Sequence, residues 1–188
     1  MPQNHPRIYE SYQRCLTYAE QTVREAAKAT RSSEDGPTLE TYYDVFFRIR
    51  DDVGLKEKLP SRVLMSLLEP PPNSVTTTEC RGWGGMNDRF ASVSSDVART
   101  YFDRPYRIFQ SNEYLGDRIV VNPESFLMYA FITAGIHVYA MPELRGLFRL
   151  YQTPNGEAEF YQDDLVRELC PAPDPARLHL YELSGWTF

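Results

Sequence analysis

The residues with the most chemical promise lie in Tyr43-Asp44-Val45-Phe46-Phe47-Arg48-Ile49-Arg50-Asp51-Asp52, where a short apolar run ends abruptly in charge. Adjacent carboxylates such as Asp51 and Asp52 can hold a hard divalent ion. Such an ion also binds diphosphate oxygens and acts as a Lewis acid toward a leaving phosphate. Arg48 and Arg50 carry planar forks that match phosphate oxygens. The competing reading is a solvated loop with local salt bridges.

Three further segments carry candidates. In Trp83-Gly84-Gly85-Met86-Asn87-Asp88 the glycines let a backbone approach a ligand closely. Trp83 offers a face for a sugar ring, and Asp88 could deprotonate an attacking hydroxyl as a general base. The same residues also suit a tight turn capped by Asn87 or Asp88. Asn122-Pro123-Glu124-Ser125 reads as a helix start, with Asn122 as the cap, Pro123 in the first turn and Glu124 at the positive end. That role accounts for Asn122 and Pro123, and for Glu124 it competes with a ligand contact. Arg145-Gly146-Leu147-Phe148-Arg149 sets cations beside a strand, with Arg149 as a phosphate-contact candidate. No GxSxG, HExxH, P-loop or GxGxxG pattern occurs.

These residues need elements to position them. Ile8, Tyr9, Tyr12, Cys15, Leu16, Ala19 and Val23 recur at helical spacing, which predicts an amphipathic helix ending before the loop-like 31–37. Tyr42 to Arg50 reads as a central strand buried on both faces, with its charges at the carboxyl end where open α/β sheets bind ligands. Leu59 to Asn73 reads as a short helix or turn and then a stiff, proline-rich connector. Arg81 to Phe90 is a glycine-rich loop, and Phe90 to Val93 a short strand. Ser94 or Ser95 is expected to cap a helix carrying Val97, Ala98, Tyr101 and Phe102. A helix is expected from Pro123 to Ala134, stopped by Gly135. Ile136 to Met141 and Leu147 to Tyr151 read as strands, and the tail at 170–188 as irregular. The alternation predicts an α/β fold, a mixed sheet flanked by helices in one domain, 1–188.

Bulk properties narrow the function. A formal net charge of −6 argues against broad attraction to nucleic-acid phosphates. No run of 18 apolar residues and no apolar leader are visible, so no membrane span is expected and the cytoplasm is the default compartment. Cys15, Cys80 and Cys170 are too scattered for a disulfide framework or a zinc site. His137 sits in a strand-like alternation and reads as an ordinary strand residue.

In order, YDVFFRIRDD, WGGMNDRFASVSSDVARTYF, NPESFLMYAFITAGIHV and LFRLYQ cover roughly residues 40 to 152. Together they resemble the glycosyltransferase-like proteins of algae, fungi and large DNA viruses, which have the GT-A fold. The pattern YDxVxRxRPD puts Arg48, Arg50 and Asp52 on its Arg, Arg and Asp, with Asp51 in place of the proline. The pattern G-x-N-D-[RQK]-F-A places Asn87 and Asp88, and [NH]-x-E-[ST]-[FL]-L places Glu124, Ser125 and Leu127.

The resemblance implies transfer of a sugar from a nucleotide-sugar donor to a glycan or glycoconjugate acceptor, with manganese or magnesium. It implies Asp52, with Asp51 beside it, at the metal, and Asp88 in the acceptor pocket as base. Arg48 and Arg50 would touch the donor or orient the strand end. Trp83, Asn87, Glu124 and Arg149 complete the substrate-binding candidates.

Two departures stand out. Asp52 is followed by Val53 and Gly54, so a full DxD is lacking. The strand, loop and strand that open a GT-A domain and bind the base have no counterpart before the first helix. The expectation is an incomplete GT-A-like domain: a truncated gene product, half of a split enzyme, or a domain whose nucleotide-binding half comes from a partner chain. Two other readings compete: a non-catalytic domain binding carbohydrate or a protein partner, and a metal-dependent phosphodiesterase. The acidic charge disfavours the second of these.

Overall fold

The computed structural model describes residues 5–30, 36–50, 53–55, 58–78, 86–111, 123–141, 147–152, 155, 158–160 and 181–182. Helix α1 spans His5–Thr30. Its periodic face buries Tyr9, Tyr12, Leu16 and Val23, as the spacing predicts. Cys15 is the exception, for it falls at the margin of the stripe and is exposed. A single helical turn, α2 (Leu39–Tyr42), follows, with Thr38 and Thr41 capping each other reciprocally.

Five strands make the main sheet, in the order β1 (Val45–Ile49), β4 (Phe90–Ser94), β3 (Ser74–Thr78), β5 (His137–Met141), β8 (Tyr181–Glu182). The β3–β5 pair is parallel and the other pairs are antiparallel, so the sheet is mixed. A second, antiparallel sheet joins β2 (Val53–Leu55), β6 (Leu147–Gln152) and β7 (Ala158–Phe160). The α/β class is thus as expected.

The placing of β1 differs from expectation. It lies at the edge of the sheet, paired with β4 alone among the described strands. Phe47 and Ile49 stay 42% and 56% exposed, so the strand is not buried on both faces. The centre of the sheet is instead β3, Ser-Val-Thr-Thr-Thr, buried at every position. Its hydroxyls and β-branches disguise it, because a run with one apolar residue lacks the hydrophobic signature of a core strand. Burial is tolerated because several of the polar groups are bonded. Ser94 Oγ both accepts from Ser74 N–H and donates to Ser74 O, at 3.0 Å each.

Strand alternation divides the core between two layers. Ala91 and Val93 of β4, with Val75 and Val138, face α1, α4 (Ala98–Ser111) and α5 (Pro123–Ile132). Phe90 and Met141 face α3 (Ser61–Leu68), which buries Val63 and Leu67 against them. Ser92 Oγ fastens α3 by donating to Leu67 O at 2.6 Å.

A 3-10 turn, Ser95–Val97, leads into α4. Ser94 occupies the cap position but makes no side-chain cap bond, since Ser74 already engages its hydroxyl. Helix α5 ends as expected. Gly135 takes φ +74°, and Gly135 and Ile136 donate back to Ile132 O and Phe131 O, a Schellman closure. Arg104 of α4 braces that end by donating to Ala130 O at 2.7 Å and to Thr133 Oγ1 at 3.0 Å. Among the described residues no helix is long and apolar enough to cross a membrane. His137 is an exposed strand residue on β5, as read from its alternation.

Candidate functional site

Strands β1 and β3 are each antiparallel to β4, and β5 is parallel to β3. The carboxyl ends of β1, β3 and β5 therefore share one edge of the sheet, where ligands of α/β folds bind. The chain entering β4 arrives at the same edge and brings Met86, Asn87, Asp88 and Arg89 with it. Arg50 extends β1 by one step, its N–H donating to Arg89 O at 3.0 Å.

Residues from three separate segments meet here. Arg50 Nη1 donates to Asp88 Oδ2 at 2.8 Å, joining the first charged segment to the glycine-rich one. The two side chains are 28% and 10% exposed, so the ion pair is partly shielded from water. The third segment docks through its backbone, with Met86 N–H donating to Glu124 O at 3.0 Å. Burial pushes the Glu124 carboxyl above the ordinary range. A backbone hydrogen bond opposes this, Asp88 adds to it, and Arg50 and Arg89 pull it back. Asp88 and Glu124 are thus carboxylates in unlike settings, one ion-paired and one half-buried and inclined to hold its proton.

Asn87 is buried, and its Oδ1 accepts from Arg89 N–H at 2.8 Å. This is an Asx-type turn, the local role weighed for it against ligand contact. Thr77, near the end of β3, holds the turn in place. Its Oγ1 lies 3.0 Å from Asn87 O and 2.8 Å from Phe90 O, sharing one proton between them. Arg48 points to the helical face of β1, its guanidinium 4.6 Å from the centroid of the Tyr12 ring.

The remaining candidates stand differently. Asp51, Asp52 and Trp83 lie outside the described residues. Arg149 is on β6, paired in register with Val53, which places its backbone beside the residue that follows Asp52. The metal implied by the resemblance would be held by Asp51 and Asp52. Among the described residues no group of three His, Cys, Asp or Glu side chains could hold a metal ion. Asp88 is already engaged by Arg50.

A cavity of about 290 Å³ lies elsewhere, between the far half of α1, the segment before α2 and the start of α4. Its charges satisfy one another, since Glu20 pairs with both Arg24 and Arg99.

Sequence reasoning missed Tyr12, Tyr101 and Thr77 at this site. The first two belong to regular helical stripes and read as core, and only their phenolic oxygens distinguish them from phenylalanine. Comparison with protein-family models, with curated proteins and with solved structures returned no match.

Proposed function

We propose that this chain is a GT-A-like, glycosyltransferase-type domain that transfers a sugar from a nucleotide-sugar donor to a glycan or glycoconjugate acceptor. The observation that carries the reading is the 2.8 Å Arg50–Asp88 pair, with Glu124 docked beside it. Residues from YDVFFRIRDD, GGMNDRFA and NPESFL, which are far apart in sequence, contribute to one sheet edge. A mixture of arginine donors and carboxylate acceptors suits a hydroxyl-rich substrate, because each sugar hydroxyl can donate and accept.

In this reading Arg50 fixes the Asp88 carboxylate so that one oxygen can accept from an acceptor hydroxyl. Glu124, inclined to hold its proton, is the better placed of the two to exchange one with substrate. Manganese or magnesium, held by Asp52 with Asp51, would neutralise the leaving diphosphate.

The test is thermal melting of the full chain with UDP- and GDP-sugars, with and without manganese. A metal-dependent gain that Asp52→Ala abolishes supports the reading. No gain with any common nucleotide sugar counts against it.

A second reading is a non-catalytic domain that binds carbohydrate. The engagement of Asp88 by Arg50 and of Asn87 by Arg89 favours it, since both polar side chains already have protein partners. It predicts glycan binding indifferent to manganese and to Asp52→Ala, with no release of nucleoside diphosphate.

A further inference from the structure

Arg48 leaves β1 on the face opposite Phe47 and Ile49 and enters a stack of aromatic rings. Its guanidinium lies over Tyr12 of α1. Tyr12 stacks on Tyr101 of α4 with centroids 5.8 Å apart at 11°, and Tyr101 stacks on Phe131 of α5 at 4.8 Å. Among the described residues no carboxylate pairs with Arg48, because Asp88, the nearby acid, is taken by Arg50. Arg48 Nη1, Tyr12 Oη and Tyr101 Oη are all buried, and none makes a well-formed hydrogen bond.

The Tyr101 hydroxyl is in polar contact with both Tyr12 and Arg48, yet the three groups cannot satisfy one another fully. A guanidinium is always protonated and accepts nothing. Burial holds both phenols above their ordinary pKa, with Arg48 pulling each back, so at neutral pH they are uncharged and each has a proton to donate. However the hydroxyls turn, the set has more protons to give than oxygens to receive them. A buried cation without a paired carboxylate and buried donors in excess of acceptors are costly to keep. Three hydrophobic residues would fill the same volume without that cost.

We propose that Tyr12, Arg48 and Tyr101 form an oxyanion site that takes a phosphate or carboxylate group on Arg48 Nη1 and the two phenol hydroxyls. An oxyanion supplies further acceptors and a directly paired negative charge, which the described side chains do not give this cluster. The rings of α1, α4 and α5 fix the donors in place, so little ordering is needed on binding. Arg48 as a whole keeps partial exposure at the sheet edge. The site does not depend on glycosyl transfer, since it recognises the anion and not the sugar.

The experiment is thermal melting of the full chain in a zwitterionic buffer at constant ionic strength, with inorganic phosphate, pyrophosphate or malonate against chloride. Binding raises Tm steadily with the logarithm of anion concentration. A gain with phosphate or pyrophosphate alone assigns a phosphate ligand, and a gain with malonate alone assigns a carboxylate. Tyr12→Phe and Tyr101→Phe retain the ring stack, and without anion they should melt close to the native chain, since the removed hydroxyls make no well-formed hydrogen bond. Each weakens anion binding at least about tenfold, as expected for a hydrogen bond to a charged group. The proposal is overturned if no anion raises Tm above the chloride control, or if both phenylalanine variants keep the full gain. A phosphorus NMR titration of the native chain gives a reading free of variants, and an unbroadened phosphate line at millimolar protein also overturns a phosphate site.

Discussion

Replacing Asp88 with asparagine tests whether the Arg50–Asp88 pair organises the sheet edge. The substitution keeps the volume and removes the charge that Arg50 meets at 2.8 Å in a partly shielded setting. Fully exposed pairs contribute about 0–1 kcal/mol, and breaking a fully buried pair costs about 3–5 kcal/mol. With side chains 10% and 28% exposed, this pair lies between those limits. A loss of about 2–3 kcal/mol is therefore expected for Asp88→Asn, of which about 1.5–2 kcal/mol is the coupling to Arg50. For a chain of this size each kcal/mol moves Tm by about 2–4 °C, so Tm should fall by about 4–12 °C. The assay is urea and thermal unfolding of the native chain, Asp88→Asn, Arg50→Met and the double variant. A coupling below about 0.5 kcal/mol would refute the argument, because the pair would then be a solvent-screened contact with no organising role.

Other outcomes follow from the same geometry. Glu124 has a raised carboxyl pKa in the fold, so the folded state binds its proton more readily than the unfolded state does. Its ionisation therefore costs stability as pH rises from the ordinary carboxylate range through the raised value. Glu124→Gln should raise Tm at neutral pH, with the gain shrinking as the medium is acidified below that range, and a gain independent of pH would contradict the assignment. Thr77→Val leaves Asn87 O and Phe90 O without their shared donor and should cost about 1–3 kcal/mol in urea unfolding. Gly135→Ala meets no atom within 4 Å but must adopt φ +74°, so a loss of about 1–2 kcal/mol from backbone strain alone is expected. A neutral result there would mean that the end of α5 relaxes.

The sequence by itself determined the longer helices, the class of fold and most of the residues worth testing. The apolar stripes of α1 and α4 are local patterns at helical spacing, and Gly135 ends α5 because a turn of left-handed hand suits glycine. The charged ends of the motifs marked Arg48, Arg50, Asp88 and Glu124 without any knowledge of contacts. Only the tertiary structure decided which strand is central. The apolar β1 lies at the edge and the hydroxyl-rich β3 in the middle, because strand order is set by pairing between distant segments and leaves no trace in local periodicity. Tertiary structure alone also joined Arg50 to Asp88 across 38 positions and left Arg48 among two phenols, with no paired acid among the described residues. A tyrosine on a helical stripe reads as core until its hydroxyl is seen to lack an acceptor. That property belongs to the neighbours that the fold supplies, not to the residue.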